Sequence, residues 1–247
     1  MERKILLVGE NASLFLSIDK DINTEFGIIK ASQLKKAKIG STLKTHTGKV
    51  FFVVDPSTPD FFRKIIRLPQ VILPKDIGSI VMYGGVKSGS KILEAGTGSG
   101  FSACVMASLA GNGRVISYEM RRDFIKVAKK NVALFGLDNV DIINADIREG
   151  AKGKDFDFVL LDMPDPWNAV KSVSKNMRIG ARLCSYSPSI IQIEKTIAAL
   201  PPELKVERLI NTDETEWKVE LDRGILRPES SGIKHTAFLI FMRKIKK

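Results

Sequence analysis

Over its first quarter the chain sets short apolar runs between polar or glycine-bearing connections. "KILLVG", "SLFLSI", "FGIIKASQL" and "KVFFVVDP" read as strands, separated by stretches such as "DKDINTE" and "THTG". A small β-rich module is therefore expected over residues 1–68. Past "RLPQVILPKDIGSIVMYGGV" the period changes. Pro74 suits the first turn of a helix, Ile77, Ile80 and Val81 fall at helical spacing, and Gly84–Gly85 supply the stop. From Lys91 onward apolar runs alternate with amphipathic segments. The predicted strands are "KILEA", "RVISYE", "VDIIN", "FDFVLLD" and "ARLCSYS". Helices are predicted near 101–109 and over 121–135, 167–176 and 190–200. In the second of these, Phe124, Val127, Ala128, Asn131, Leu134 and Phe135 keep a 3.6-residue period, and Gly136 ends it. Strict alternation implies an α/β domain over residues 69–247, with a doubly wound, mostly parallel sheet of seven strands. The closing segments "KVERLI", "WKVEL" and "HTAFLIFMRK" have no helices between them, so they are expected to complete that sheet with antiparallel strands.

Composition adds a direction to this outline. With 247 residues, 44% hydrophobic and 27% charged, the chain can bury a full core and is not disordered. Its 39 Lys and Arg against 28 Asp and Glu leave +11, a balance that suits a polyanionic partner such as nucleic acid, with plain solubility as the competing reading. Lys30, Lys35, Lys36, Lys38, Lys44 and Lys49 punctuate the β-rich module. They fit a solvated sheet face and a phosphate-meeting surface equally. Cys104 and Cys184 have no CxxC or Cys/His spacing and read as reduced, buried thiols. His46 and His235 have no ligand spacing, so no metal is expected. No secretory signal and no membrane-length apolar stretch are present, which predicts a cytoplasmic protein with no membrane partner.

The chemistry concentrates in "KILEAGTGSG". In a doubly wound sheet, ligands bind beyond the carboxyl ends of the strands, where the first strand turns into its helix. Gly96, Gly98 and Gly100 alternate, with Ser99 between the last two, whereas a dinucleotide fingerprint reads G-x-G-x-x-G. Glu94 precedes them. A carboxylate there repels pyrophosphate but favours S-adenosyl-L-methionine, which carries a sulfonium and an ammonium and no phosphate. Glu119 ends the second strand, where a carboxylate can accept ribose hydroxyls, and Asp146 ends the third, where an acceptor can meet the donor's adenine amine. Each of these two also fits a helix cap. The combination predicts a class I S-adenosylmethionine-dependent, Rossmann-like methyltransferase domain.

On the acceptor side, "FDFVLLDMPDPW" delivers Asp162 at the end of the fourth strand, beside the expected methyl group. A carboxylate there suits methylation of a base nitrogen, because it can orient an exocyclic amine and stabilise the cationic product. Trp167 fits both stacking on a base and packing at a helix start.

Together "PQVILPKDIG", "ILEAGTGSG", "SYE", "LLDMPDPW" and "RPESSGIKHTAFLIF" resemble the tRNA (adenine-N1)-methyltransferases that modify T-loop adenosine 58, with archaeal members acting also at 57. The resemblance spans nearly the whole chain. It implies a small N-terminal β domain, a methyltransferase domain, a homotetramer and a tRNA partner. It matches Asp162 to the catalytic aspartate, places Gln70, Lys75 and Asp76 along the site with Gln70 toward the donor, and sets His235 near the pocket. Leu73 departs from the pattern: many relatives carry Tyr or His there, which leaves base positioning and the choice between adjacent adenosines open. Rival functions are a non-catalytic tRNA-binding subunit, which the intact glycines and acids oppose, and a methyltransferase for a small molecule or protein, which has no need of +11.

Overall fold

The computed structural model describes residues 4–10, 12–68, 70–229 and 235–247. The fold divides into two compact units, Met1–Ile65 with Leu134–Gly136, and Ile66–Ala133 with Leu137–Lys247.

In the first unit, β1 (Lys4–Val8), β2 (Ser13–Ser17), β3 (Ile22–Thr24) and β4 (Gly27–Ile29) precede helix α1 (Ala31–Lys36), and β5 (Thr42–Lys44) and β6 (Val50–Val54) precede α2 (Thr58–Phe62). An antiparallel sheet runs β2-β1-β6-β5, and β3 and β4 form a separate hairpin. Alternation does the sorting. Ile5 and Leu7 of β1 and Phe51 and Val53 of β6 are buried with Ile29 and Leu34, while Phe52 points out. The expected strand "FGIIKASQL" stops at Ile29. Asp21 Oδ1 accepts the Ala31 N–H at 2.8 Å, diverting the backbone from a ladder, and Gln33 closes the first turn of α1 on the Lys30 N–H at 3.1 Å. Helix α2, absent from the periodicity, begins where Asp60 accepts from the Ser57 N–H and hydroxyl at 2.8 and 2.7 Å.

The second unit follows the predicted alternation. Its elements are α3 (Pro74–Gly84), β7 (Lys91–Ala95), α4 (Phe101–Ala110), β8 (Arg114–Glu119), α5 (Arg122–Phe135), β9 (Val140–Asn144) and β10 (Phe156–Leu161). Then come α6 (Val170–Ser174), β11 (Met177–Ser187), α7 (Ile190–Ala198), β12 (Leu204–Ile210), β13 (Trp217–Glu220), β14 (Ile225–Pro228) and β15 (Phe238–Lys244). The helix predicted over 167–176 is a 3₁₀ turn at Pro166–Asn168 and then the single short α6, because the prolines of "MPDPW" delay its start.

Seven strands order as β12-β15-β11-β10-β7-β8-β9, with β15 antiparallel between β11 and β12. Strand "WKVE" is not among them. It pairs with β14 as a separate hairpin whose Trp217, Val219 and Leu226 are exposed, so the sheet closes on two antiparallel pairings rather than three segments. From β7 the chain steps outward through β8 and β9, then returns to the other side of β7 as β10. That reversal opens a crevice at the carboxyl ends of β7 and β10. Beneath it, Leu93, Val159, Leu161, Leu183 and Ile240 are fully buried, which fixes both strand ends on a rigid core. Cys104 and Cys184 are buried and unpaired.

Leu160 lies in the central strand with no exposure. Leu160→Ala should lower unfolding free energy by about 2–5 kcal/mol, the usual range for a core truncation, read from the urea midpoint at unchanged m-value.

Candidate active site

The loop from β7 to α4 has left-handed backbone at Gly96, Gly98 and Gly100, with φ of 88°, 54° and 77°. Gly96 is also sterically required, and Gly100 is tightly packed. A Cβ on Gly96 would lie 1.7 Å from the Asp162 carbonyl oxygen, and one on Gly100 3.0 Å from Ala128 Cβ. Gly98 meets nothing within 4 Å, so it lies against open space where a ligand can approach backbone. The loop is pinned at Gly96 and Thr97, whose N–H groups donate to the Tyr118 carbonyl at 3.0 and 3.2 Å.

Glu94 lies inside the protein rather than at the mouth of this loop. It has no exposure, and its two oxygens accept from the hydroxyls of Ser102, on α4, and Ser117, its cross-strand neighbour on β8. With Ser117's proton so used, Thr97 donates to Ser117 at 2.6 Å. Glu94 therefore acts on a bound cation through its field. Burial pushes its pKa up to about 7 against the two serine hydrogen bonds, and the nearby Glu119 charge adds to the rise.

Glu119, at the end of β8, is nearly buried and accepts the Gly98 and Arg121 N–H groups, both at 3.0 Å. Each carboxylate oxygen keeps a lone pair for a diol. Asp146 performs the capping role that was one of its two readings. It accepts the Arg148 N–H at 2.9 Å and pairs with the Arg148 guanidinium, whose hydrogen bond is the chief reason its pKa is lowered. The same guanidinium reaches Asp165 at 2.7 Å, tying the end of β9 to "MPDPW".

Asp162 follows β10, its N–H donating to the Ala95 carbonyl at 2.8 Å. Its half-buried carboxylate takes part in none of the side-chain hydrogen bonds or ion pairs among the described residues. Burial, then the charges of Glu94 and Glu119, raise its pKa to about 8. Glu94, Glu119 and Asp162 thus crowd one crevice, where burial and mutual charge hold Glu94 and Asp162 toward their protonated forms. A ligand with fixed positive charge relieves that repulsion, and an anionic one aggravates it. The open face at Gly98, the acidic field and the free Asp162 carboxylate fit a cationic, phosphate-free adenosine ligand.

The remaining expected residues fall into different places. Ser99 is buried and structural: its hydroxyl accepts the Leu68 N–H at 2.8 Å, and its carbonyl accepts from Asn131 at 2.7 Å. Gln70 is exposed, with a left-handed φ of 67° that is unusual outside glycine. Lys75 and Asp76 do not open onto the crevice. They form an ion pair at 2.8 Å with side-chain exposures of 6% and 0%. Trp167 is half-buried, and Lys195 Nζ sits 4.9 Å above its ring centre. His235 is exposed, 3.4 Å from the Pro188 carbonyl and in ring contact with Phe238.

Reading the sequence missed Ser102, Ser117, Arg148, Asp165 and Asn131. Only Asn131 left a trace, as a polar residue on the apolar stripe of α5. Its amide bonds the Ile66 N–H and carbonyl as well as Ser99. Among the described residues no helix is long and apolar enough to cross a membrane, and no cluster of three metal-binding side chains occurs.

Sheet order, switch point and acidic glycine loop define the class I S-adenosylmethionine-dependent methyltransferase fold. Two solved structures share it over the full chain: an S-adenosylmethionine-dependent O-methyltransferase of Thermotoga maritima (TM-score 0.84, 32% identity, 94% of that chain) and the tRNA (m1A58) methyltransferase TrmI of Aquifex aeolicus (0.79, 25%, 98%). Residues 49–223 match the family described as tRNA methyltransferase complex GCD14 subunit, and the chain belongs to that family. Among its relatives, the Methanocaldococcus jannaschii tRNA (adenine(57)-N(1)/adenine(58)-N(1))-methyltransferase TrmI is 33% identical, over 96% of this chain and 94% of its own. The Thermus thermophilus tRNA (adenine(58)-N(1))-methyltransferase TrmI is 30% identical, over 89% and 87%.

Gly96→Ala should abolish binding of S-adenosylmethionine in calorimetry, since the new methyl cannot coexist with the Asp162 carbonyl. The acids predict a pH signature as well. Glu94 and Asp162 rise from 4.5 and 3.8 to about 7 and 8, so the folded protein holds more protons than the unfolded chain between those limits. Ligand-free stability should therefore fall as pH rises from about 4 to 8, and added S-adenosylmethionine should restore more of it at pH 8 than at pH 5. A thermal midpoint flat across that range in Asp162→Asn/Glu94→Gln, but sloping in the wild type, would confirm the source.

Proposed function

We propose that this chain transfers the methyl group of S-adenosyl-L-methionine to N1 of adenosine 58 in the T loop of tRNA, with adenosine 57 as the adjacent second target. The observation that carries the reading is the Asp162 carboxylate, raised in pKa and without a hydrogen-bond partner among the described residues, beside a glycine cradle suited to a cation. The names of the archaeal and bacterial relatives support the nucleoside and the position.

S-adenosylmethionine supplies a methyl carbon on a sulfonium, and its transfer to N1 moves positive charge onto the base with no obligatory proton loss. The residues have separate tasks. The Gly98 backbone and Glu119 receive the donor's backbone-approaching and ribose portions, and Asp146 keeps limited acceptor capacity for its adenine amine. Glu94 supplies field from beneath. Asp162, drawn into its ionised form by the neighbouring cation, accepts from the exocyclic amine of the target base and faces the charge that develops there. N1 lies on the Watson–Crick edge, so the nucleotide must leave its stack at a cost of a few kcal/mol, which phosphate contacts to a chain carrying +11 offset. The lysines of the 1–68 module serve that purpose in this reading. The active assembly is taken to be a cytoplasmic homotetramer, in keeping with the family resemblance.

Incubating unmodified tRNA with protein and donor, followed by nucleoside mass spectrometry, should yield 1-methyladenosine. Asp162→Ala should cut the rate by at least about 10²-fold while donor affinity stays within a few-fold. Methylation at a ribose oxygen, or full turnover by the variant, would refute the reading. Light scattering on the same preparation should give the mass of four chains.

A further inference from the structure

The buried Lys75–Asp76 pair is not accounted for by donor binding. Asp76 opens α3 with no exposure, and its two oxygens receive four donors from four chain segments. On Oδ1 are Lys75 Nζ at 2.8 Å and the Thr212 hydroxyl; on Oδ2 are the Thr236 hydroxyl at 2.7 Å and the Tyr186 phenol at a long 3.4 Å. With three N–H bonds, Lys75 Nζ also reaches Thr236 Oγ1 at 2.7 Å, and Thr212 Oγ1 at 3.0 Å and the Thr212 carbonyl at 3.2 Å, so one N–H is shared between two acceptors. Each threonine hydroxyl therefore accepts from the ammonium and donates to the carboxylate. The network is closed and satisfied on every side, the condition under which a buried ion pair holds one geometry rather than weakening the fold.

Its position is informative. Strand β12 ends at Ile210 and β15 begins at Phe238, so Thr212 and Thr236 stand two residues outside the sheet on either side of the β13–β14 hairpin. Both strand ends lie at the carboxyl edge of the parallel strands, the ligand side. Tyr186 comes one position after Ser185, which pairs with Leu161, and Asp162 comes one position after Leu161. Tyr186 and Asp162 are thus neighbours along that edge; burial and the Asp76 charge raise the pKa of the phenol, and the Asp162 charge adds to the rise. His235 adjoins Thr236.

We propose that the Lys75–Asp76 pair is a positioning device for the acceptor side: it clasps the Thr212 and Thr236 segments and the Tyr186 ring into the wall that receives the target base next to Asp162. This rests on the methyl-transfer reading above. Neither residue touches donor or base. Both act through the segments they hold, which is why their motif lies close to the site in sequence order yet is sealed from it.

The test uses full-length Asp76→Asn, Thr212→Val and Thr236→Val with unmodified tRNA as acceptor. If the clasp positions the acceptor side, Asp76→Asn should raise KM for tRNA or lower kcat by about 10-fold or more, and each threonine variant should show a smaller change in the same direction. Donor affinity by calorimetry should stay within about twofold in all three. Lys75→Met/Asp76→Leu replaces the pair by apolar residues, a change often neutral for stability. It should melt like the wild type yet remain deficient with tRNA, a split that a purely structural role does not produce. Unchanged kinetics in every variant, or donor affinity lost in step with the rate, would overturn the proposal. If Asp76→Asn does not fold, the threonine variants decide in the same way. A wild type that methylates no tRNA in this assay would instead remove the reading on which the clasp depends.

Discussion

A carboxylate kept from water beneath a glycine turn is the constraint on which this structure depends. Glu94 has no room to leave and no cation among its hydrogen-bond partners, only the hydroxyls of Ser102 and Ser117. Those bonds join β7, α4 and β8 at one point and leave the negative field unneutralised. Directly above, the Asp162 carbonyl packs so closely on Gly96 that no side chain is tolerated there. The first and fourth strands of the domain are thereby locked edge to edge, and the crevice at their ends has a fixed shape.

The charge distribution works at two ranges. Overall the chain carries +11, which favours a polyanion at long distance, while the crevice concentrates Glu94, Glu119 and Asp162 with no ion-pairing base for Glu94 or Asp162 among the described residues. The fourth acid of the row differs. Asp146 is tied by Arg148 to Asp165, so its charge is spent on holding the "MPDPW" loop rather than on the crevice.

Rigidity is distributed the same way. The glycine loop is held by the Gly96 and Thr97 N–H groups on the Tyr118 carbonyl, and the Asn131 side-chain amide ties Ser99 to Ile66 behind it. Between β12 and β15 the chain leaves the sheet for β13 and β14, and side chains take over there, with Lys75 and Asp76 at the centre. A two-stranded hairpin is marginal by itself, so its bases need such an anchor.

The periodic segments of the sequence determined the alternating strands and helices, and the spacing of Glu94, three glycines, Glu119 and Asp162 along them determined that these residues gather at the carboxyl ends of β7, β8 and β10. Those signals are local, set by side-chain period and by backbone conformations that glycine alone adopts easily. Tertiary structure decided what depends on partners distant in the chain. It turned "KASQLKK" into a helix through Asp21, diverted the Trp217 strand into its own hairpin, and made Asp146 a cap. It placed Glu94 under the loop instead of in it, and engaged Ser99, Lys75 and Asp76 in hydrogen bonds within the protein. A polar residue looks the same in sequence whether its hydrogen bonds go to a ligand or to the protein. Only the position of the other donors and acceptors in space tells the two apart.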